Sequence, residues 1–520
     1  MLLDISLPDW TLPLICVVAI TARFLYNKFG YGISRIPGPF LASYTDLWRF
    51  FLVWGGRAEL THIKLHEKYG PLVRIGPKNV SVSDSGAVKL IYGLGAGYAK
   101  SGFYPVQQPV TKDGFVLQGL FSTTDEKYHA KLRRAVANAY AMSTLVQFEP
   151  FVDSTTTEFL KQLSQRYADK PDTVCDFSRW LQFYAFDVIG ELTFSKRLGF
   201  VDHGIDVDNI IRDNERMLGY FAVVGQVPIL DKLLLKNPIR LLCSRMGLIN
   251  ATSPVAFFAK TRMEERLDST HPKSKEGGRH HDSKRDFLSR FMEAGNKDPT
   301  FMNRSRILSL TAANMFAGSD TTAISLRSIF YFLLKNPSKL HKLQQELNQK
   351  EHDGFFSRKD RLVRWAEANE LSYLGAVIKE SLRIHPAAGL PLERVVPLGG
   401  TEISGRYLPA GTVVGCSAWT IHRSKEIFGK DVDAFRPERW LEDPANISNM
   451  NQSLFTFGAG ARTCVGKNIS YLEMYKLVPA IFRTFDVQLA NPSEEWHLEN
   501  KWFVKQSNFY VQFTAKGRKV

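Results

Sequence analysis

Phe457-Gly-Ala-Gly-Ala-Arg-Thr-Cys-Val-Gly466 runs directly into an apolar-periodic stretch, Lys467 to Phe485, that reads as a helix. Gly458 and Gly460 let the backbone turn tightly and approach a flat group without Cβ clashes. Cys464 stands at the edge of a helix N-terminus, where exposed N–H groups and the helix dipole favour thiolate over thiol. Gly466 lets that helix pack closely on a ring. Phe457 can shield the sulfur from water, and Arg462 offers a guanidinium fork to a carboxylate. A single thiolate cannot build a zinc or iron–sulfur site, which needs about four ligands. One axial thiolate is what a heme iron needs, so Cys464 is the candidate metal ligand. The plain alternative is a glycine loop around a buried core cysteine. Cys416 serves as a control: in Val413-Val-Gly-Cys-Ser417 it reads as strand packing. Cys16, Cys175 and Cys243 have no ligand context either.

The chain around this loop has 520 residues, 44% hydrophobic and 23% charged, with five cysteines and a net charge of +15. That apolar content exceeds what a disordered chain carries. At most one apolar run is long enough to span a membrane, which excludes a multi-span protein. Five cysteines over this length exclude a disulfide framework and agree with a reducing compartment. At roughly 150 residues per domain the length allows about three domains. No compositional shift marks a boundary, however, and no internal repeat is present. The basic excess admits nucleic acid, a membrane surface or an acidic partner. There is no basic stripe interleaved with aromatics, so nucleic acid is not expected.

Trp10 to Tyr26 contains one charge, Arg23. At ~1.5 Å per residue this segment reaches about 25 Å, close to the ~30 Å of a hydrocarbon core. A signal peptide would need basic residues before the run, and Asp4 and Asp9 stand there instead. Arg23 near its end and Lys28 and Arg35 after it place the rest of the chain in the cytoplasm. The expected organisation is therefore a lumenal 1–9, a single transmembrane anchor 10–30, a proline-rich linker 31–43 and a catalytic domain 44–520. Arg35-Ile-Pro-Gly-Pro-Phe40 makes the linker stiff, because two prolines around a glycine cannot continue a helix.

The body reads as mainly α (α+β). Helical periodicity predicts helices near 124–140, 144–167, 176–195, 207–220, 253–268, 285–294, 304–335, 337–350, 371–385 and 465–484. Asn336-Pro337 looks like a cap followed by proline at the first helical position. Short strands are expected at 72–75, 80–82, 394–398, 412–415 and 507–514. Residues 269–284 read as a solvated loop, with His280-His281 on it. The absence of βαβ alternation argues against a parallel-sheet fold.

With these residues in view, the chain resembles the cytochrome P450 superfamily of heme-thiolate monooxygenases. The pattern Phe-x-x-Gly-x-Arg-x-Cys-x-Gly is matched in full. Three further elements stand in family order: Ala317-Gly-Ser-Asp-Thr-Thr322, Glu380-Ser-Leu-Arg383 and Phe435-Arg-Pro-Glu-Arg-Trp440. AGSDTTAISLRSIFYFLL, LPLERVVP and Gly225-Gln-Val-Pro228 are similar to fungal, microsomal, pisatin demethylase-like members. The resemblance implies a large helical domain with small β-sheets. It puts heme b (iron protoporphyrin IX) between the long central helix and the cysteine-loop helix.

It also implies roles. Thr321 would donate a hydrogen bond to oxygen at the iron, and Asp320 would feed it protons. Gly318 beside them reads as a local kink or widened turn. Asn314 and Phe316, a turn earlier, could face substrate. Heme carries two propionates, so cations should converge on it: Arg462, Arg394, and His129 with Arg133. Many members have Trp where this chain has His129. Glu380 and Arg383 are three apart and share a helical face; Arg439 could complete a buried network with them, holding the heme-loop region. Phe115, Phe121, Phe221, Phe316, Leu390, Trp502 and Phe503 should line an apolar substrate pocket. The implied activity is NADPH- and O2-dependent oxidation, hydroxylation or similar, of an apolar small molecule, in fungal secondary metabolite biosynthesis. No flavin or nicotinamide fingerprint is present, so electrons would come from NADPH-cytochrome P450 reductase at the endoplasmic reticulum membrane. The alternatives are a reductase-independent heme-thiolate isomerase or dehydratase, a detoxifying O-demethylase, and a non-catalytic heme sensor.

Overall fold

The computed structural model describes residues 10–170, 172–268 and 286–517. The expected lumenal segment and the His280-His281 loop lie outside them. The helices that position the site are, in chain order, α1 (Thr11–Phe29), α2 (Leu47–Trp54), α3 (Glu126–Val136), α4 (Glu149–Leu163), α5 (Phe177–Phe194), α6 (Ile210–Val224), α7 (Pro254–Asp268), α8 (Phe287–Lys297), α9 (Arg304–Lys335), α10 (Pro337–His352), α11 (Ser372–Ile384) and α12 (Lys467–Thr484).

The long central helix is α9, with 32 residues. Asn303 starts it: its side chain accepts from the Arg306 N–H. From Thr322 to Phe330 every residue is buried, because α5, α12 and α11 wrap it. α5 is itself buried from Trp180 to Phe194, and Asp176 caps it through the Arg179 N–H. Gly318 faces α5; a Cβ there would stand 3.1 Å from Ile189. The expected widened turn is absent, and the α-helix runs unbroken through Gly318. The glycine serves close helix packing instead.

The largest sheet has five short strands, in spatial order Leu72–Arg74, Asn79–Val82, Val413–Cys416, Arg394–Val395 and Ala99–Lys100. Cys416 is buried in it, as its strand-like run implies. The strand expected over 394–398 is only two residues long. A hairpin pairs His497–Lys501 with Phe503–Ser507. Tyr510–Ala515 pairs with Phe485–Leu489. The hairpin and α2 carry no local signal strong enough to be read from sequence; the 485–489 strand does alternate apolar and polar residues, but over only five positions directly after α12. Asn336 does not cap α10; its amide turns back to Phe332 O.

α1 is the one helix among the described residues long and apolar enough to cross a membrane. Its apolar side chains are exposed, and only Asn27 is buried. Its last turn is fixed to the main body. Arg74, fully buried, donates to Asn27 O at 2.6 Å and Lys28 O at 2.9 Å, and Asn27 donates to Tyr44 O. These bonds satisfy helix C-terminal carbonyls that would otherwise lack partners.

Candidate active site

The cysteine loop is built by its glycines and by its own hydrogen bonds. Gly458 (φ 67°) and Gly460 (φ 63°) are both left-handed. Gly460 also presses on the Tyr92 carbonyl: a Cβ would lie 1.6 Å from its oxygen. The Cys464 N–H closes the loop by donating to Phe457 O at 2.8 Å. Cys464 keeps exposed surface, yet protein atoms surround much of its sulfur, and that burial pushes the thiol up. The neighbouring Gly466 and Lys467 N–H groups pull the other way, as does the Arg133 guanidinium. α12 begins directly after this, and Ser470 on it bonds Thr322 of α9 at 2.9 Å.

α9 presents a small-residue face among its buried ones. Ala317 is exposed and Ala313 and Thr321 are half-buried, four residues apart. The Thr321 hydroxyl donates to Ala317 O at 2.7 Å. Asp320 takes a different direction, since neighbours on a helix point about 100° apart. It is buried against α5 and α6, where Gln182 donates to one oxygen and Asn214 to the other at 2.5 Å. Arg327 in turn donates to Gln182 at 2.9 Å. Burial raises the Asp320 carboxyl, offset in part by Lys505 and raised again by Glu215. The structure therefore does not bring Asp320 and Thr321 into contact. Asn314 also turns from the open face and accepts from Tyr140 at 2.5 Å.

Cations converge beside the loop. Arg133 donates to Thr463 O at 2.7 Å. Arg394, buried, donates to Tyr104 Oη at 3.2 Å and Glu393 O at 2.8 Å. Arg462 pairs with Glu126 at 2.7 Å and donates to Leu120 O. His129 is buried, and burial followed by Arg462, Arg133, Lys100 and Arg394 pushes its pKa down to about 3. It is neutral and retains one N–H to donate. Lys100 belongs to the same group and has no sequence signal, because its strand is two residues long.

Glu380 sits behind the loop, fully buried. Arg383 meets it with two bonds of 2.9 and 2.8 Å, Arg439 with one of 3.0 Å and Trp440 with one of 2.9 Å. The Arg436 N–H adds another at 3.0 Å. Sequence reasoning does not single out Glu473 on α12. It is fully buried, neither carboxyl oxygen has a partner, and burial pushes its pKa well up.

Five rings form an aromatic cluster beside Leu390: Phe103, Tyr104, Phe121, Phe221 and Trp502. Trp502 lies 5.3–5.7 Å from Phe103, Phe121 and Phe221 and holds φ at 75°. Phe503 packs on its edge. Phe316 belongs to the main core instead. Phe115 is exposed under the Arg245 guanidinium, outside this cluster.

These residues suit a flat, dianionic ring with one soft axial ligand. The donor set offers one thiol and several cations. A Cβ at Gly466 would meet only Ile469, at 3.9 Å, so the backbone there leaves room for a ring. The cytochrome P450 family profile matches residues 45–513. A cytochrome P450 monooxygenase of Aspergillus terreus is 46% identical over 456 residues, 88% of this chain and 90% of that protein. The cytochrome P450 monooxygenase cicH of Emericella nidulans is 42% identical over 489 residues, 93% of this chain and 94% of that protein. The cytochrome P450 monooxygenase mpaDE of Penicillium roqueforti is 39% identical and spans 97% of this chain, which covers 58% of that longer protein. Fold and thiol loop define a heme-thiolate oxidoreductase, and the chain belongs to the cytochrome P450 family. It is a monooxygenase, a class that acts on O2 and a small molecule with electrons from a redox partner.

Proposed function

We propose that Cys464 ligates the iron of heme b and that the enzyme oxidises an apolar small molecule in fungal secondary metabolism. The observation that carries this is Cys464 itself: a partly exposed thiol at the head of α12, where the Gly466 and Lys467 N–H groups favour the thiolate. Bound there, the heme supplies reductive activation of O2 and transfer of one oxygen atom to a substrate C–H bond.

The chain's own residues do the rest. Gly466 and Lys467 N–H groups hold the thiolate and limit its basicity. Arg133, Arg394, Arg462 and neutral His129 receive the propionates. The Glu380–Arg383–Arg439 network fixes the segment behind the loop. Thr321 offers a hydroxyl on the open face of α9. Asp320, its carboxyl raised by burial, is the next residue along α9, and the Lys505–Glu215 ion pair that acts on it offers a proton route toward solvent. The ring cluster around Trp502 selects an apolar substrate by excluding water.

We assign the electron donor as NADPH-cytochrome P450 reductase and the location as the endoplasmic reticulum membrane, single-pass with the catalytic domain cytoplasmic. α1 supports this, as do exposed apolar side chains on the main body, including Phe51 and Trp54 on α2 and Leu233, Ile239 and Leu242 beyond α6. The relatives' monooxygenase names favour oxidation over reductase-independent isomerisation.

The test is the ferrous carbon monoxide complex. The wild type should show the strongly red-shifted Soret band of thiolate ligation, and Cys464→Ala should lose it. A Cys464→Ala protein that keeps the band sinks the ligand assignment. Metabolite comparison of a deletion strain with its parent should show an accumulated precursor.

A further inference from the structure

We propose that Lys100 is a propionate anchor of this enzyme, a fixed positive charge facing the heme carboxylates alongside Arg394. The inference rests on the heme reading above. Lys100 is 6% exposed, yet it has no carboxylate within ion-pair distance. Its ammonium makes a single hydrogen bond, to Phe121 O at 2.5 Å, and sits 4.1 Å from the ring centres of both Tyr104 and Phe121. An ammonium has three protons to donate, so two have no protein acceptor.

The surroundings make the lone charge worse. Burial first, then Arg394 and Arg462, push the Lys100 pKa well down, so its charge needs an anion to hold it, and Glu126, the acid that acts on it, is already paired to Arg462 at 2.7 Å. A buried charge is tolerated when something of opposite sign meets it. Among the described residues none does. Arg394 is in the same position: its partners are a hydroxyl and a carbonyl. Two adjacent buried cations lacking an acid define a site for a dianion. The rings under Lys100 fix the head of a flexible side chain, so it is positioned before the ligand arrives.

A competing role is purely structural: Lys100 could only clamp the Phe121 carbonyl while Arg462 clamps that of Leu120. Charge separates the two. Lys100→Met and Lys100→Arg holoproteins are compared for the rate of heme transfer to apomyoglobin. Loss of one charge-assisted hydrogen bond should speed heme loss about tenfold or more in Lys100→Met. Lys100→Arg should stay within about threefold of wild type, because the charge remains. Equal rates in Lys100→Met and wild type overturn the proposal, and so does a Lys100→Arg protein as leaky as Lys100→Met. Should Lys100→Met not accumulate as a hemoprotein, Lys100→Gln, which keeps a polar end and removes the charge, carries the test through the propionate bending band of its resonance Raman spectrum. A displaced band supports the contact and an unmoved band overturns it. A wild type that binds no heme at all would instead sink the heme reading itself.

Discussion

Asn214 on α6 donates to Asp320 on α9 across 2.5 Å, and Gln182 on α5 holds the other carboxylate oxygen. Three helices thus meet at one buried acid. Burial raises its pKa, while the Asn214 amide favours the ionised form and lowers it. Asn214→Leu removes that donor, so the carboxyl rises further. The limb of the pH profile for product formation that reports Asp320 should move to higher pH. Turnover should fall about tenfold, part of the ~10²–10⁴-fold that a positioned proton carrier supplies. A profile that does not move would remove Asp320 from proton delivery.

Glu380 is shared by two guanidinium groups in a dry setting, and is the one carboxylate paired with Arg383. Glu380→Gln keeps the shape and leaves Arg383 buried without a counter-charge, while Arg439 keeps only Asp431, at 3.1 Å. Breaking a buried pair this way costs about 3–5 kcal/mol. Denaturant midpoints of wild type and variant should differ by that amount, with less heme retained on purification. A difference below about 1 kcal/mol would mark the cluster as an exposed-type pair.

Two glycines in one loop should behave oppositely. Gly460→Ala forces a Cβ into the Tyr92 carbonyl and a left-handed backbone on a residue that resists it. It should cost more than ~2 kcal/mol. Gly466→Ala meets only Ile469 at 3.9 Å and should leave thermal unfolding of the heme-free protein within about 0.5 kcal/mol of wild type. Unfolding temperatures of both variants decide this, and equal losses would contradict it.

Glu473 gives a pH-dependent stability of known sign. Its folded pKa is raised well above the usual carboxylate range because burial leaves both oxygens without partners. Below the unfolded pKa both states are protonated and full stability is present. As pH rises from there toward the raised folded value, the unfolded chain loses the proton and the folded chain keeps it. Stability then falls by up to ~1.4 kcal/mol per pH unit. Glu473→Gln should flatten this slope, so its advantage over wild type widens from pH 5 to pH 8. Parallel curves would show that Glu473 has a partner.

The sequence by itself determined whatever is local and contiguous. Ten residues ending at Gly466 specify a turn, a thiol and a helix start, because glycine φ and helix termini depend on near neighbours. The long α9 follows from periodicity over many turns. Gly318 shows the limit. A mid-helix glycine looks like a kink on a string of letters, and only the position of Ile189, 3.1 Å from where a Cβ would stand, identifies it as a packing contact.

Tertiary structure alone decided which charges share a cavity. Lys100 sits on a two-residue strand with no period to read, and its significance appears only once Arg394, 294 positions later, lies beside it. Adjacent letters can part in the same way: Asp320 and Thr321 are neighbours in sequence, but the helix turns one toward Asn214 and the other toward Ala317. Propensity acts along the chain, whereas burial, and with it the cost of an unpaired charge, is set by what folds against it from elsewhere.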